Sequence, residues 1–413
     1  MLLSFTVKNF GPYLKECAFD MSAVPSYKEH EYNLQNLPSG EKGLRVAVLY
    51  GANASGKSQF VNAYTTFMRI VVNSFRASDA KQRDDDLSSD EAPNPKRKTF
   101  IASVYHPFAL RKGRGDTEFE VIIEDEDGQY QFGFTYNAAD ITSEWLYFYK
   151  SGTKTRRATM ILERSGPEAD TIELGASVRR ECAKYIENVP HDSLALSFLS
   201  RLKLKTEAFS RSASAIDTVL PISRMLCDAQ VNRMLAEYFG GFYDEDKGAG
   251  LVDYLARIDI SIKGFEVEKS DDMVRVKTKH VGEDGQEYML SLDDESDGTR
   301  KMMALYYYFD AALKRGLTLI VDEMDAELHP LLIRYLVNQF HASNNGAQLI
   351  FTAHDVSLLD KKYLRRDQVW FAMKDEAGKS QLRSLAEYRI RNDRAYDSAY
   401  LAGVFGAVPN FGE

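Results

Sequence analysis

Residues 51–58 are the part of this sequence whose residue types and spacing most clearly indicate chemistry. They read GANASGKS and match the pattern G-x-x-x-x-G-K-[ST], directly after the apolar run LRVAVLY and before a helical pattern. A loop of this kind turns backbone N–H groups towards phosphate oxygens, and the start of the following helix favours negative charge. A plain glycine-rich turn is the alternative, which this context disfavours. We therefore expect a nucleotide phosphate site made by Gly51, Asn53, Ala54, Ser55, Gly56, Lys57, Ser58 and Gln59.

An acidic pair follows a second apolar run and supplies the groups that such a phosphate loop needs. Residues 317–323 read LTLIVDE, so a strand delivers Asp322 and Glu323 at its carboxyl end, where α/β sheets bind ligands. We expect Lys57 to reach the β- and γ-phosphates, and Ser58 and Asp322 to bind Mg²⁺. Glu323 is expected to orient or deprotonate the water that attacks the γ-phosphate. Taken alone, an acidic pair after a strand is as often part of a helix N-terminus.

Two further polar segments stand where they can contact a γ-phosphate. Residues 348–355 read QLIFTAHD and place His354 just after another apolar run, where its imidazole can hydrogen-bond the phosphate. Residues 295–300 read ESDGTR and precede a helical pattern, so Ser296 and the backbone of Gly298 can cap this helix and present its N-terminus to an anion. A lone histidine or a helix cap is more often structural, and only the neighbouring motifs favour a catalytic role.

The strands and helices around these segments predict an α/β fold. Apolar runs at 44–50, 317–321 and 347–351, with a helical pattern between the last two, indicate a βαβ unit in a central sheet. Alternating apolar residues between 119 and 149 indicate an antiparallel meander. We predict a split nucleotide-binding head at 1–164 and 286–413, interrupted by an inserted helical lobe at 165–285.

Composition and charge exclude several classes of protein. The chain has 413 residues, 44% of them hydrophobic, and a net charge of −9, which argues against a disordered chain and against wholesale coating of nucleic acid. Three widely spaced cysteines fit neither a disulfide framework nor a zinc knuckle. Because no apolar run of membrane-spanning length occurs, we expect a cytoplasmic protein without a membrane partner. The charged segment 77–98 is expected to be a mobile surface linker.

Together these segments resemble the AAA-domain ATPases of the ABC ATPase superfamily. The motifs occur in the family's order over nearly the whole chain: GANASGKS, ESDGTR, LTLIVDE, DAELHP, QLIFTAHD, LRRDQVWF and AYLAGVFGAVP. More narrowly, they look like the RloA/AbiL-type and PARIS AriA-type ATPases of prokaryotic antiviral defence. The resemblance implies an ABC-type P-loop NTPase head with a mixed central sheet, an antiparallel N-terminal subdomain and an inserted helical lobe.

The resemblance also implies roles for individual residues. Ser296 and Gly298 occupy the position of the ABC signature, which contacts the γ-phosphate of ATP bound to an opposing subunit. Asp325 occupies the position of the D-loop, and His354 that of the switch histidine. One departure is that the signature reads ESDGT here instead of LSGGQ.

The glutamine of the family's Q-loop has no clear counterpart. Gln129 and Gln131, in the aromatic strand pattern, are weak candidates for which a structural role is favoured. Asn9 and Phe10, at the end of the first strand, either approach the nucleotide base or pack in the core.

As a function, the resemblance implies Mg²⁺-dependent ATP hydrolysis by a head-to-head dimer or a higher oligomer. ATP binding would close two heads, hydrolysis would open them, and the movement would control a separately encoded effector such as a TOPRIM or RloB-like nuclease in antiphage defence. One alternative is a RecF/SMC-like DNA-repair clamp that binds DNA through basic clusters such as 111–114. Another is a scaffold stabilised by ATP with negligible turnover.

Overall fold

The computed structural model describes residues 1–87, 99–152, 157–222, 235, 245–257, 261–270, 273–389 and 395–408. Its strands are β1 (Leu2–Lys8), β2 (Cys17–Asp20), β3 (Leu34–Asn36), β4 (Lys42–Leu44), β5 (Val46–Tyr50), β6 (Thr117–Glu124), β7 (Gly128–Tyr136), β8 (Ile141–Lys150), β9 (Ala158–Arg164), β10 (Ile172–Leu174), β11 (Val219–Ile222), β12 (Gly264–Ser270), β13 (Met273–Val281), β14 (Glu287–Ser291), β15 (Thr318–Val321), β16 (Gln348–Thr352), β17 (Val369–Lys374) and β18 (Ser380–Ser384). Its helices are α1 (Lys57–Leu87), α2 (Phe100–Val104), α3 (Ala176–Cys182), α4 (Ala195–Leu199), α5 (Ala208–Ile216), α6 (Glu245–Arg257), α7 (Asp297–Arg315), α8 (Pro330–Ala342) and α9 (Tyr396–Leu401).

The central sheet carries the segments predicted to do chemistry. Its strand order is β11-β15-β16-β5-β17-β18, parallel except for the antiparallel pair of β17 and β18. Every residue of β5, β15 and β16 is buried, as expected for parallel strands covered on both faces. Helix α8 connects β15 to β16, which confirms the predicted βαβ unit. Because the strands are parallel, the carboxyl ends of β5, β15 and β16 lie at one edge of the sheet.

A second sheet packs an aromatic core against α1. Its order is β10-β9-β8-β7-β6-β1-β2 with antiparallel pairing throughout, so the predicted antiparallel subdomain is confirmed. Helix α1 turns its apolar residues, spaced at the helical period, towards this sheet. The ring of Phe67 stacks on that of Phe134 with 5.7 Å between centroids, and Tyr64 meets Phe5 at 4.8 Å. The start of α1 is thereby held between the two sheets.

The described part of 165–285 is not the separate helical lobe that the sequence predicted. Strand β10 extends the antiparallel sheet, and β11 joins the central sheet, with Leu220 opposite Leu319. Helix α4 packs on α1, where Phe198 meets Phe75 with 5.0 Å between ring centroids. Strands β12 and β13 form a small sheet with β14. Strands β10 and β11, of three and four residues, are too short to show a period, which explains why these two were not predicted.

Part of the predicted linker at 77–98 is helical. Helix α1 continues to Leu87, so residues 77–87 of the predicted linker are helical. Their polar sequence has no apolar stripe, and a periodicity argument cannot recognise such a helix. Residues 223–234 and 236–244 of the predicted helical lobe lie outside the described residues. Within the described residues, no helix combines the length and the apolar character needed to cross a membrane.

Candidate nucleotide-binding site

The loop between β5 and α1 has backbone dihedral angles that residues other than glycine rarely adopt. Gly51, Ala54 and Gly56 have φ angles of 154°, 61° and 117°, all positive. A Cβ atom on Gly51 would come within 2.5 Å of the Ala372 carbonyl oxygen, and one on Gly56 within 2.8 Å of the Ser380 Oγ. The two glycines of the motif are therefore required by the fold. The space that they leave open fits a cradle of backbone N–H groups for phosphate oxygens.

Two buried hydroxyl groups from distant parts of the chain hold this loop. The Tyr13 hydroxyl donates to the Gly56 carbonyl at 2.9 Å, and the Ser380 hydroxyl donates to the Ser55 carbonyl at 2.6 Å. Ser380 also donates its backbone N–H to Pro12 at 2.8 Å, so the β1–β2 turn and β18 clamp the loop together. Sequence reasoning missed both residues, because nothing in their local sequence marks them as neighbours of residues 55–56.

Lys57 begins α1, and its ammonium group folds back over the loop. The Lys57 Nζ donates to the carbonyls of Gly51 at 2.7 Å and Ala52 at 3.2 Å, and the side chain is 5% exposed. Burial lowers its pKa, while nearby carboxylates, led by that of Asp322, oppose the shift. The ammonium group therefore lies inside the phosphate loop and faces the acidic end of β15. That is the arrangement needed to place one positive charge against a phosphate.

The remaining predicted loop residues differ in exposure. Asn53, Ala54 and Gln59 are exposed, and Ser58 is half-buried at the first turn of α1. A Cβ atom on Gly11 would lie 3.1 Å from the Gln59 side-chain oxygen, so Gln59 borders the β1–β2 turn. The loop thus leaves Asn53 and Ala54 exposed to solvent.

The acidic pair at the end of β15 is oriented by a threonine of the neighbouring strand. Thr352, the last residue of β16, donates its hydroxyl to Asp322 Oδ1 at 2.6 Å and accepts the Glu323 backbone N–H at 2.7 Å. Asp322 is buried, whereas Glu323 is half-buried and has a φ of 49°. A hydroxyl that both donates and accepts fixes the two consecutive residues relative to each other. Thr352 lies inside the motif QLIFTAHD, but nothing in that motif indicates this contact.

Asp325 connects the acidic segment to the histidine after β16. Its Oδ2 atom accepts the backbone N–H groups of His354 and Asp355, each at 2.6 Å. His354 keeps an exposed side chain. Partial desolvation, followed by the positive charge of Lys57, lowers the pKa of the His354 imidazole and so favours its neutral form. The structure thus brings His354, Asp325 and Lys57 to the same edge of the central sheet.

The predicted signature residues lie at the exposed N-terminus of α7. Ser296 caps this helix by accepting the Thr299 backbone N–H at 3.1 Å, and its side chain is exposed. A Cβ atom on Gly298 would come within 2.9 Å of the Glu327 carbonyl oxygen, so glycine allows α7 to approach the acidic segment closely. Across the described residues, no hydrogen bond joins Ser296 or Gly298 to the phosphate loop of the same chain. The side chain of Ser296 at the N-terminus of α7 is thus exposed to solvent.

The weaker candidates from the sequence have structural partners elsewhere. Gln129 donates to Glu124 at 2.6 Å and Gln131 to Glu120 at 2.9 Å, both in the antiparallel sheet. Asn9 is buried and donates to three successive carbonyls, at 114, 115 and 116, at 2.8–2.9 Å. Phe10 is also buried, with its ring 5.5 Å from that of Phe119. These side chains hold the antiparallel sheet and its loops together.

The donor atoms near the phosphate loop fit a hydrated magnesium ion bound with a nucleotide. Hard oxygen ligands are available from the Ser58 hydroxyl and the Asp322 carboxylate. Among the described residues, no group of three or more histidine, cysteine, aspartate and glutamate side chains is arranged to hold a metal. Mg²⁺ in nucleotide sites commonly keeps several waters and takes further oxygens from the phosphates. Two protein oxygens therefore match such an ion better than a permanent all-protein metal site.

The sequence matches a known family over residues 46–360, which is most of the chain. The family model is described as "AAA domain, putative AbiEii toxin, Type IV TA system". The chain belongs to this AAA-domain family. As a member of an ATPase family, this AAA-domain protein carries its phosphate loop, acidic pair and histidine at one edge of the central sheet. No curated protein matches the chain.

Three solved structures similar to this AAA domain are heads of SMC proteins. One is an SMC head bound to the C-winged helix domain of ScpA, with a TM-score of 0.46, 11% identity, and coverage of 93% of this chain and 97% of that chain. The SMC head of Thermotoga maritima has a TM-score of 0.40, 10% identity and coverage of 94% and 99%. A Pyrococcus furiosus head with an extended coiled coil, bound to the C-terminal domain of ScpA, has a TM-score of 0.42, 12% identity and coverage of 93% and 96%.

Proposed function

We propose that this AAA-domain protein hydrolyses ATP in sites that two copies of the chain share. The proposal rests on one observation. Lys57, the acidic pair 322–323 and His354 all lie at the carboxyl ends of β5, β15 and β16. Parallel α/β sheets bind their ligands at this edge. A lysine inside a glycine-rich loop and a carboxylate near Mg²⁺ recur in P-loop NTPases, and here a second carboxylate and an imidazole are available to orient water and contact the γ-phosphate.

Each side chain has a defined task in this reaction. Bound Mg²⁺ would be held by Ser58 and Asp322 and would neutralise charge on the phosphates. Lys57 places its ammonium group against the β- and γ-phosphates. Glu323 holds the attacking water in line and accepts a hydrogen bond from it. The neutral imidazole of His354 donates a hydrogen bond to the γ-phosphate, in an orientation that Asp325 fixes through the backbone.

The shared site rests on the position of Ser296. This residue is exposed at the N-terminus of α7, a helix of 19 residues whose first turn carries uncompensated N–H groups. A helix N-terminus of this kind favours an anion. In a head-to-head dimer, the α7 N-terminus of one copy would face the nucleotide in the phosphate loop of the other copy, and both sites would be equivalent by two-fold symmetry.

A mixing experiment tests the shared site. Lys57→Ala disables the phosphate loop, and Ser296→Arg blocks the α7 N-terminus, so each variant alone is expected to lose turnover. In a mixed dimer, both changes fall in one site and the other site is intact. Random 1:1 mixing therefore restores about a quarter of wild-type turnover, because half of the dimers carry one working site of two. Phosphate release by the mixture is the measurement.

The control for this experiment is a mixture of Lys57→Ala with wild type, which reports dilution alone. If the two inactive variants stay inactive together while each still binds its own copies, the sites are not shared between subunits. Subunit exchange between the two variants is checked first, by light scattering of fusions that differ in size. A failure of turnover to recover then cannot be due to a lack of exchange.

We further propose that the ATP-driven movement of two heads controls a separately encoded effector, a TOPRIM or RloB-like nuclease, in defence against phage. This proposal is supported by the resemblance of the ordered motifs to defence ATPases. It is also supported by the family description, which names a type IV TA system and thus a class of paired toxin and antitoxin proteins. The SMC-like alternative would use the same head on DNA.

Copurification and DNA response together test the effector role. The protein is expressed from its native operon, and we expect a neighbouring gene product to copurify while duplex DNA leaves ATP turnover unchanged. DNA-stimulated turnover without a bound neighbour would favour the repair clamp instead. A stable complex with no turnover, even with phosphate release followed for hours, would favour the ATP-stabilised scaffold.

A further inference from the structure

Lys301 makes a contact that no motif predicts. It lies in the first turns of α7, five residues after the cap residue Ser296. Its Nζ atom donates to the Glu323 carbonyl at 2.9 Å and to the Ala326 carbonyl at 2.6 Å. One ammonium group therefore bridges the exposed helix start and the backbone of the acidic segment that follows β15.

The segment whose carbonyl groups accept hydrogen bonds from Lys301 has unusual backbone dihedral angles. Glu323 and Glu327 have φ angles of 49° and 63°, in the left-handed region that residues other than glycine rarely occupy. Such conformations cost free energy and persist where surrounding contacts impose them. The Thr352 hydroxyl holds the Glu323 N–H from the β16 side, and Lys301 holds the Glu323 carbonyl from the α7 side. The peptide units on both sides of the Glu323 Cα are thereby fixed.

Charge and packing reinforce this contact. Gly298 brings the same helix turn against residue 327, because a Cβ atom there would lie 2.9 Å from the Glu327 carbonyl oxygen. Burial lowers the pKa of Lys301, and neighbouring carboxylates, led by that of Glu327, oppose the shift. The carboxylates of Glu327, Asp325 and Glu323 all act on the charge of Lys301. The contact thus combines two hydrogen bonds to carbonyls with favourable charge.

We propose that Lys301 is a positioning residue that ties the N-terminus of α7 to Glu323. The inference rests on the proposed function. In the shared arrangement, Glu323 acts in the site of its own chain, whereas Ser296 acts in the site of the partner copy. Lys301 joins these two parts within one chain. The two hydrogen bonds of Lys301 therefore place the Glu323 carboxylate. They also transmit the nucleotide-bound state of one ATP site to the other.

The decisive variant is Lys301→Met, which keeps an unbranched side chain of similar helix propensity, one atom shorter, and removes the donor. We expect kcat to fall about tenfold to a hundredfold, as for other small misplacements of catalytic groups, with KM within about twofold of wild type. Cooperativity in ATP concentration is expected to weaken as well. Amide hydrogen exchange over 322–328 is expected to quicken in the nucleotide-free protein. Lys314→Met is the matched control, since Lys314 lies on the same helix and pairs with Asp310 at its far end.

Each outcome of this experiment decides one point. Unchanged kcat and unchanged exchange in Lys301→Met overturn the inference. If Lys301→Met does not fold, Lys301→Arg is measured instead, because arginine keeps donors for both carbonyls. Retained kcat in Lys301→Arg supports the positioning role. Lost kcat with normal hydrogen exchange contradicts it. Exchange does not depend on hydrolysis. Quickened exchange in a protein whose wild type shows no turnover would therefore support the tie and reject the proposed function.

Discussion

Glu323→Gln is expected to stop ATP hydrolysis while ATP stays bound. Glutamine keeps the size of the side chain and the backbone contacts of Glu323 with Thr352 and Lys301, so the site should retain its shape. It loses the negative charge that orients the attacking water and accepts its proton. Losing a positioned general base typically costs about 10²–10⁴-fold in kcat. Phosphate release measures kcat, and calorimetry with Mg-ATP measures binding.

The same variant is expected to accumulate as an ATP-bound dimer, because closed heads can no longer reopen by hydrolysis. Light scattering with and without ATP reports this directly. Glu187→Gln is the control, since Glu187 is exposed in the short helical turn at 183–188, outside the proposed site. Hydrolysis by Glu323→Gln at the wild-type rate would show that another residue orients the water.

The positions of the chemical segments were predictable because each follows an apolar run that became a buried parallel strand. Carboxyl ends of parallel strands share one edge of a sheet, so the order of the motifs was enough to bring Lys57, Asp322 and His354 together. The βαβ unit from β15 to β16 and the antiparallel subdomain were predicted for the same reason, since both show a clear period in the sequence.

The residues that hold the site were not predictable in the same way. Tyr13 and Ser380 bind consecutive residues of the phosphate loop, yet they are separated from each other by most of the chain. Thr352 and Lys301 stand beside motifs, but a threonine at the end of a strand and a lysine on a helix are ordinary residues. Their roles depend on side-chain contacts between elements, and a periodicity argument carries no information about such contacts.

The extent of the insertion was mispredicted for a different reason. Strand β11 is only four residues long and includes Pro221, which sits at the edge of the central sheet where a missing N–H group is tolerated. The helical pattern of α5, which ends shortly before β11, dominates the local sequence. The chain between 165 and 222 therefore contributes strands to both sheets of the head, and α4 packs on α1 at Phe75.

Lys57→Ala is the change expected to affect nucleotide binding most. The ammonium group makes two hydrogen bonds to loop carbonyls and supplies the positive charge closest to the expected phosphates. Its loss also leaves the carboxylates of Asp322 and Glu323 without that compensation, and they then repel the triphosphate. Charge-assisted hydrogen bonds contribute about 1.5–3 kcal/mol each, so a rise in the Kd of Mg-ATP of about 100-fold or more is expected. Calorimetry or a fluorescent ATP analogue measures the change.

The control for Lys57→Ala must distinguish the loss of a positive charge in the phosphate loop from a change in the net charge of the protein. Lys8→Ala removes one positive charge from an exposed pair with Glu118 and is expected to leave ATP binding unchanged. Lys57→Arg keeps the charge, but its planar guanidinium cannot fold back onto the Gly51 carbonyl in the same way, so intermediate binding is expected. If Lys57→Ala binds Mg-ATP as tightly as wild type does, the nucleotide is not held by the loop between β5 and α1. The shared-site model would then have to be abandoned, because every other assignment takes its geometry from that loop.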